Sequence, residues 1–77
     1  MSAPVILDAR GLLCPLPVLK ARKILKGLKP GEVLEIQATD PGAPKDFEHF
    51  CKMTGDILLE QREEAGVFFL RIGKPVS

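Results

Sequence analysis

Cys14 is the residue best placed to do chemistry, because Pro15, Leu16 and Pro17 follow it and Gly11 stands three positions before it. Two prolines in four residues fit poorly inside a strand or a helix. They fit a helix start, where backbone N–H groups have no intrahelical partner to lose. With Pro15 as the first helical residue, Cys14 becomes the N-cap, and its sulfur lies near unclaimed N–H donors and the positive end of the helix dipole. That placement is expected to lower the thiol pKa and raise its thiolate fraction. Leu16 itself precedes a proline, so the helix could instead begin at Pro17, leaving Cys14 two residues before the N-cap and weakening the effect. In both registers the sulfur occupies a rigid, exposed corner.

The other reactive side chains offer less. Cys51 lies 37 positions from Cys14, a spacing that matches neither C-x-x-C nor a zinc motif. It falls on the apolar face of a helix beside Phe47 and Phe50, as a buried small hydrophobe does. His49 is two residues from both Phe47 and Cys51, so it is expected to be exposed, turned from their face and unlinked to Cys14. No Cys-His-Asp hydrolytic set can then be built. Two cysteines and one histidine do not complete four metal ligands without carboxylates, so neither a metal nor a cofactor is expected. A redox enzyme would need both sulfurs within disulfide distance, which an inward-facing Cys51 opposes. Asp8 and Asp40 each follow a strand. They are turn and cap residues, or carboxylates approaching Cys14 from the same sheet end, where they would raise its pKa.

The elements that hold these residues follow from patterning. Val5-Ile6-Leu7 reads as the first strand, and Pro15 to Leu28 as a helix stopped by Lys29-Pro30-Gly31. Glu32 to Thr39 alternates as a half-buried strand, with Leu34, Ile36 and Ala38 on one face. Asp40-Pro41-Gly42 turns the chain into a second helix, Pro44 to Thr54, capped by Gly55. Phe47, Phe50, Cys51 and Thr54 mark its inner face. Ile57–Arg62 and Val67–Ile72 read as strands joined through Glu63-Glu64-Ala65-Gly66. The order βαβαββ predicts an α/β two-layer sandwich. Its mixed four-stranded sheet has a parallel first pair and an antiparallel closing hairpin, with both helices on one face. Val33, Val67 and Phe69 are expected to cluster on the other, wet face.

The first helix has two sides. Pro17, Val18, Ala21, Ile24, Leu25 and Leu28 share the arc facing the sheet, while Lys20, Arg22, Lys23 and Lys26 oppose them. Leu16 and Leu19 fall among those charges close to Cys14. They read as an apolar docking point ringed by positive charge, or as isolated surface leucines of the ordinary kind. Six of the eleven basic residues lie between Arg10 and Lys29, with no acid among them. This basic stretch is what a small nucleic-acid-binding or regulatory module would use. Against that alternative stand a net charge of +1, no Tyr or Trp, and four Phe that all lie elsewhere. Direct nucleic-acid binding is therefore not expected.

The 77 residues, 45% apolar and 27% charged, suit a single domain over residues 1–77. Nothing in them reads as a membrane span, and residues 1–13 lack the pattern of a signal peptide, so a cytoplasmic protein is expected. Arg62, Glu63 and Glu64 discourage edge pairing and favour a monomer.

The stretch Leu7-Asp8-Ala9-Arg10-Gly11-Leu12-Leu13-Cys14-Pro15-Leu16-Pro17 closely resembles the start of the TusA (SirA-like) sulfur-carrier family, marked by Cys-Pro-x-Pro after a Gly-Leu pair. The resemblance continues through Pro30-Gly31-Glu32, Asp40-Pro41 and Phe50-Cys51. It implies a βαβαββ sandwich similar to the C-terminal domain of bacterial translation initiation factor 3, and a persulfide carried on Cys14. The donor it implies is a cysteine desulfurase or a rhodanese, and the acceptor a TusBCD- or DsrE-type protein, in tRNA thiolation or sulfur oxidation. In the expected step the Cys14 thiolate attacks the outer sulfur of a donor persulfide. Helix-start N–H groups and the cations Arg10, Lys20 and Lys23 would stabilise the resulting anion.

Overall fold

The computed structural model describes residues 4–76. Its elements run β1 (Val5–Ala9), α1 (Leu16–Gly27), β2 (Val33–Ala38), α2 (Ala43–Thr54), β3 (Ile57–Glu64) and β4 (Val67–Gly73). The sheet order is β1-β2-β4-β3, with β1 parallel to β2 and both other pairs antiparallel. The parallel pair needs a long crossover, which α1 supplies; the last pair needs only a tight turn. That turn is Ala65-Gly66 with φ of 50° and 80°, the double positive φ that matches the twist of a two-residue hairpin. β3 consequently runs two residues beyond Arg62, and Glu63 and Glu64 pair with Phe68 and Val67 instead of forming the loop.

Alternation sorts the side chains. Leu34, Ile36 and Ala38 of β2 and Leu70 and Ile72 of β4 are fully buried, and β1 aligns Ala9 with them. Both helices cover this face, α1 over β1 and β2, α2 over β3 and β4. Pro17, Ala21 and Leu25 of α1 and Ala43, Phe47, Phe50 and Cys51 of α2 point into it. Burying such aliphatic and aromatic side chains stabilises the domain by about 1.5–3 kcal/mol each relative to exposure. Thr54 departs from its expected inward position. It is exposed, and its single hydroxyl hydrogen can go either to the Phe50 carbonyl oxygen, 3.0 Å away, or to Asp56, 2.9 Å away, where Gly55 ends the helix at φ 85°.

The opposite face mixes charged side chains with apolar ones such as Ile6, which is 60% exposed. Arg71 bridges to Glu35 at 3.0 Å, and the Arg62 guanidinium lies 4.3 Å from the centre of the Phe69 ring, a cation–π contact. Phe69 stands opposite Gln37 and Arg62, whereas Val33 stands opposite Gly73 at the far end of β4. The expected apolar cluster of Val33, Val67 and Phe69 is thus split along the strand. At the β3 irregularity Leu59 folds over Gly73, where an added Cβ would come within 3.0 Å of its side chain. At the far end of α1, Lys74 Nζ donates to the Leu25 carbonyl oxygen at 2.9 Å, capping the negative end of the helix. No helix among the described residues is long and apolar enough to cross a membrane.

Candidate functional site

Because β1 and β2 are parallel, their exit loops emerge at the same end of the sheet. The loop after β1 carries Gly11 to Pro15, and the loop after β2 carries Thr39 to Gly42. Two side-chain bonds tie them together: Gly11 N–H donates to Thr39 Oγ1 at 2.9 Å, and Cys14 N–H to Asp40 Oδ2 at 3.1 Å. Gly11 has φ 80°, a backbone state that glycine adopts without a Cβ penalty, and it turns the chain sharply off β1.

The helix starts between the two registers read from sequence. Leu16 is its first residue, Pro15 is the N-cap, and Cys14 lies one residue before the cap. Leu16 N–H donates to the Leu13 carbonyl oxygen at 2.9 Å, closing a turn around Cys14. Pro15 and Pro17 have no N–H, and Cys14 and Leu16 have theirs bonded. The supply of unclaimed donors expected beside the sulfur is therefore poor, and the reason is the proline pair itself.

The sulfur is exposed and free, and carboxylates surround it. Cys14 Sγ and oxygens of Asp40 and Asp46 lie within 4.8 Å of one another. The thiol is pushed above its ordinary range, first by the Asp46 carboxylate as a nearby acceptor, then by desolvation and by the charges of Asp46 and Asp40. This reverses the lowering expected from a helix start: a nearby full negative charge outweighs a helix start with few free donors. Three such groups fall one short of a tetrahedral zinc site, and no fourth joins the group among the described residues.

The cations divide differently from expectation. Arg10 is engaged elsewhere: its guanidinium holds Asp8 in a two-point bridge at 2.8 and 2.9 Å. Those bonds hold the Asp8 carboxyl down at about 2. Asp8 therefore serves Arg10, while Asp40 reaches the Cys14 loop. Lys20 and Lys23 are exposed on α1 and do not line the groove at Cys14. Arg22 does.

That groove, of ≈ 480 Å³, runs from Cys14 between α1 and α2. Val18, Leu19 and Phe50 give it an apolar floor, Met53 lies at its far end, and Arg22, Asp46 and His49 supply its polar atoms. Leu19 is 51% exposed and lines it; Leu16 is 45% exposed but lies outside it. His49, expected to be unlinked to Cys14, shares this groove. It does point away from Phe47, but the side of α2 it faces is the one that borders α1. Asp46, Met53 and Arg22 were missed. One signal could have found Asp46: it lies one turn before Phe50 and His49 and just after the turn that Asp40 begins.

Cys51 faces the core at 8% exposure, and burial followed by the charge of Asp56 pushes its thiol up to about 11. Cys14 and Cys51 form no disulfide.

Proteins similar to this chain in sequence and in shape agree. The family model described as Sulfurtransferase TusA matches residues 5–74. The sulfur carrier protein TusA of Allochromatium vinosum is 53% identical over 68 residues, covering 88% of this chain and 90% of its own. Its Pseudomonas aeruginosa counterpart is 44% identical over 73 residues, covering 95% and 92%. The crystal structure of a SirA-like protein from Desulfitobacterium hafniense has the same fold, with a TM-score of 0.83 at 24% identity, over 94% of this chain and 99% of that one. A family model that matches residues 5–74 and a relative 53% identical over 88% of the chain are sufficient to place this βαβαββ sandwich with its exposed Cys14 thiol: the chain belongs to the TusA family.

Proposed function

We propose that the chain is a cytoplasmic sulfur carrier that accepts sulfane sulfur as a persulfide on Cys14 and passes it to a second protein. The observation that carries this reading is the pairing of a free, exposed thiol at a braced corner with a buried second thiol. Only one sulfur can meet a partner. The names of the relatives, sulfur carrier proteins, support it.

Attack by Cys14 on the outer sulfur of a donor persulfide forms a new S–S bond and breaks the donor's, with no net oxidation. The groove beside Cys14 is open and shallow, suited to an apolar side chain of a docking protein at Leu19 and Met53 more than to an enclosed small substrate. The donor is a cysteine desulfurase or a rhodanese and the acceptor a TusBCD- or DsrE-type protein, feeding tRNA thiolation or sulfur oxidation. Leu19 and Leu16 contribute to docking, and Lys20 and Lys23 steer an acidic surface toward α1.

Incubation with a cysteine desulfurase and its substrate, or with a persulfidated rhodanese, tests the reading by intact mass. The expected result is a gain of one sulfur atom that maps to Cys14 and is removed by reduction. No gain from either donor, with Cys14 still alkylated by iodoacetamide, overturns it.

A further inference from the structure

We propose that Asp46, backed by Asp40, is a positioning residue that restrains Cys14: its carboxylate, held close to the sulfur, opposes a negative charge there in the free carrier until a partner lays a basic side chain into the groove. The inference deepens the carrier reading and rests on it for the partner's part.

The geometry is specific to this corner. Asp40 approaches from the loop after β2, with one oxygen on the Cys14 N–H at 3.1 Å. Asp46 approaches from the first turn of α2, and its carboxylate, that of Asp40 and Cys14 Sγ lie within 4.8 Å of one another. The remaining charged or titratable groups facing the groove are Arg22 from α1 and His49 from α2. Arg10, the nearest cation in sequence, is committed to Asp8. Among the described residues, neither Asp40 nor Asp46 forms an ion pair.

A thiolate formed in the free chain would be a third negative charge beside two others, and every such charge favours the protonated form. A protonated thiol is a poor nucleophile, so small electrophiles and stray disulfides react with this sulfur more slowly than with an unrestrained thiol. A lysine or arginine brought by a partner offsets one of the two negative charges and lowers the penalty. In the transfer the Cys14 Sγ–S bond forms and the donor S–S bond breaks. The electron pair leaves on the donor's inner sulfur, and the Cys14 proton ends on that leaving thiolate. The same restraint acts on a loaded persulfide, whose anion the two carboxylates also disfavour. A competent partner, whether donor or acceptor, therefore carries a basic side chain next to its own reactive sulfur.

The test is the pH profile of Cys14 alkylation by iodoacetamide, followed by mass in the free protein. Removing the carboxylate charge in Asp46→Asn should speed alkylation at pH 7 by roughly three- to tenfold and move the profile to lower pH. Asp46→Glu should restore the wild-type profile in large part, which a purely structural role would not produce. Asp40→Asn should shift it the same way by less, and it decides the matter alone if Asp46→Asn does not fold. A profile for the readable variants that superimposes on wild type, or moves to higher pH, overturns the proposal. Sulfur loading of the wild type from a cysteine desulfurase is read in parallel. A moved profile with no loading removes the carrier reading and the partner's role but keeps the restraint, whereas loading with an unmoved profile removes the restraint alone.

Discussion

Cys14 and Cys51 carry the same side chain, and the protein pushes both thiols above their usual range, by opposite means. At Cys51 the cause is chiefly burial on the inner face of α2. At Cys14 it is chiefly a carboxylate across an open groove. Burial is part of the fold and can be undone only by opening it. A carboxylate's field can be cancelled by any cation that arrives. On the proposed restraint, a small domain holds one sulfur back by its fold and the other by a charge that a partner can offset.

Exchanging the two roles is the strongest way to break the comparison. Cys14→Ser should take up no sulfur from a desulfurase or rhodanese, with thermal unfolding unchanged, while Cys51→Ala should load like wild type; intact mass and a melt decide it. The packing side of the contrast is tested at Phe47, which is fully buried on the helix face that holds Cys51. Phe47→Ala should lose about 3–5 kcal/mol in urea unfolding, a large part of the stability of a domain this size.

A direct comparison of the thiols comes next. At pH 7 iodoacetamide should modify Cys14 about a hundredfold faster than Cys51, and the gap should close in urea, because one thiol needs local opening and the other does not. Leu19→Glu then asks whether the groove serves partners. Loading by a protein donor should fall roughly tenfold, as for a truncated interface anchor, while loading by a small-molecule persulfide should not change.

The smallest effect is a pH dependence at Cys51. Its folded pKa lies above its unfolded value of 9.0, at about 11. The stability this contributes is present in full below about pH 9 and is lost as pH rises through about 11, because unfolding frees the thiol to ionise. Urea midpoints between pH 8 and 11 should fall more steeply for wild type than for Cys51→Ala.

Most of the fold was legible because its signals are local. The alternation of Leu34, Ile36 and Ala38 sets a face, Lys29-Pro30-Gly31 stops a helix, and Gly55 caps another. The hairpin was misplaced by two residues because Glu63 and Glu64 look like loop residues by composition, whereas the turn chemistry resides in Ala65-Gly66. The exposed corner at Cys14 was legible from its prolines. What surrounds it was not, since Asp40, Asp46 and His49 reach it only after the parallel crossover brings two loops to one sheet end. The direction of its pKa failed for the same reason: a helix start can be read along the chain, but a carboxylate arriving from another element cannot. Arg10 was misjudged because Asp8, two residues away, holds it first.

The two bonds that tie the loop of Cys14 to the loop of Thr39 and Asp40 also set a rule of traffic. They fix the sulfur at one end of one edge of the sandwich, with no long arm to swing it elsewhere. Donor and acceptor must therefore occupy the same patch in turn, and neither can be seated while the other remains. On the carrier reading the flow of sulfur then depends on how quickly each partner lets go, so that very tight binding by one of them would slow the relay and a pair of brief encounters would run it fastest.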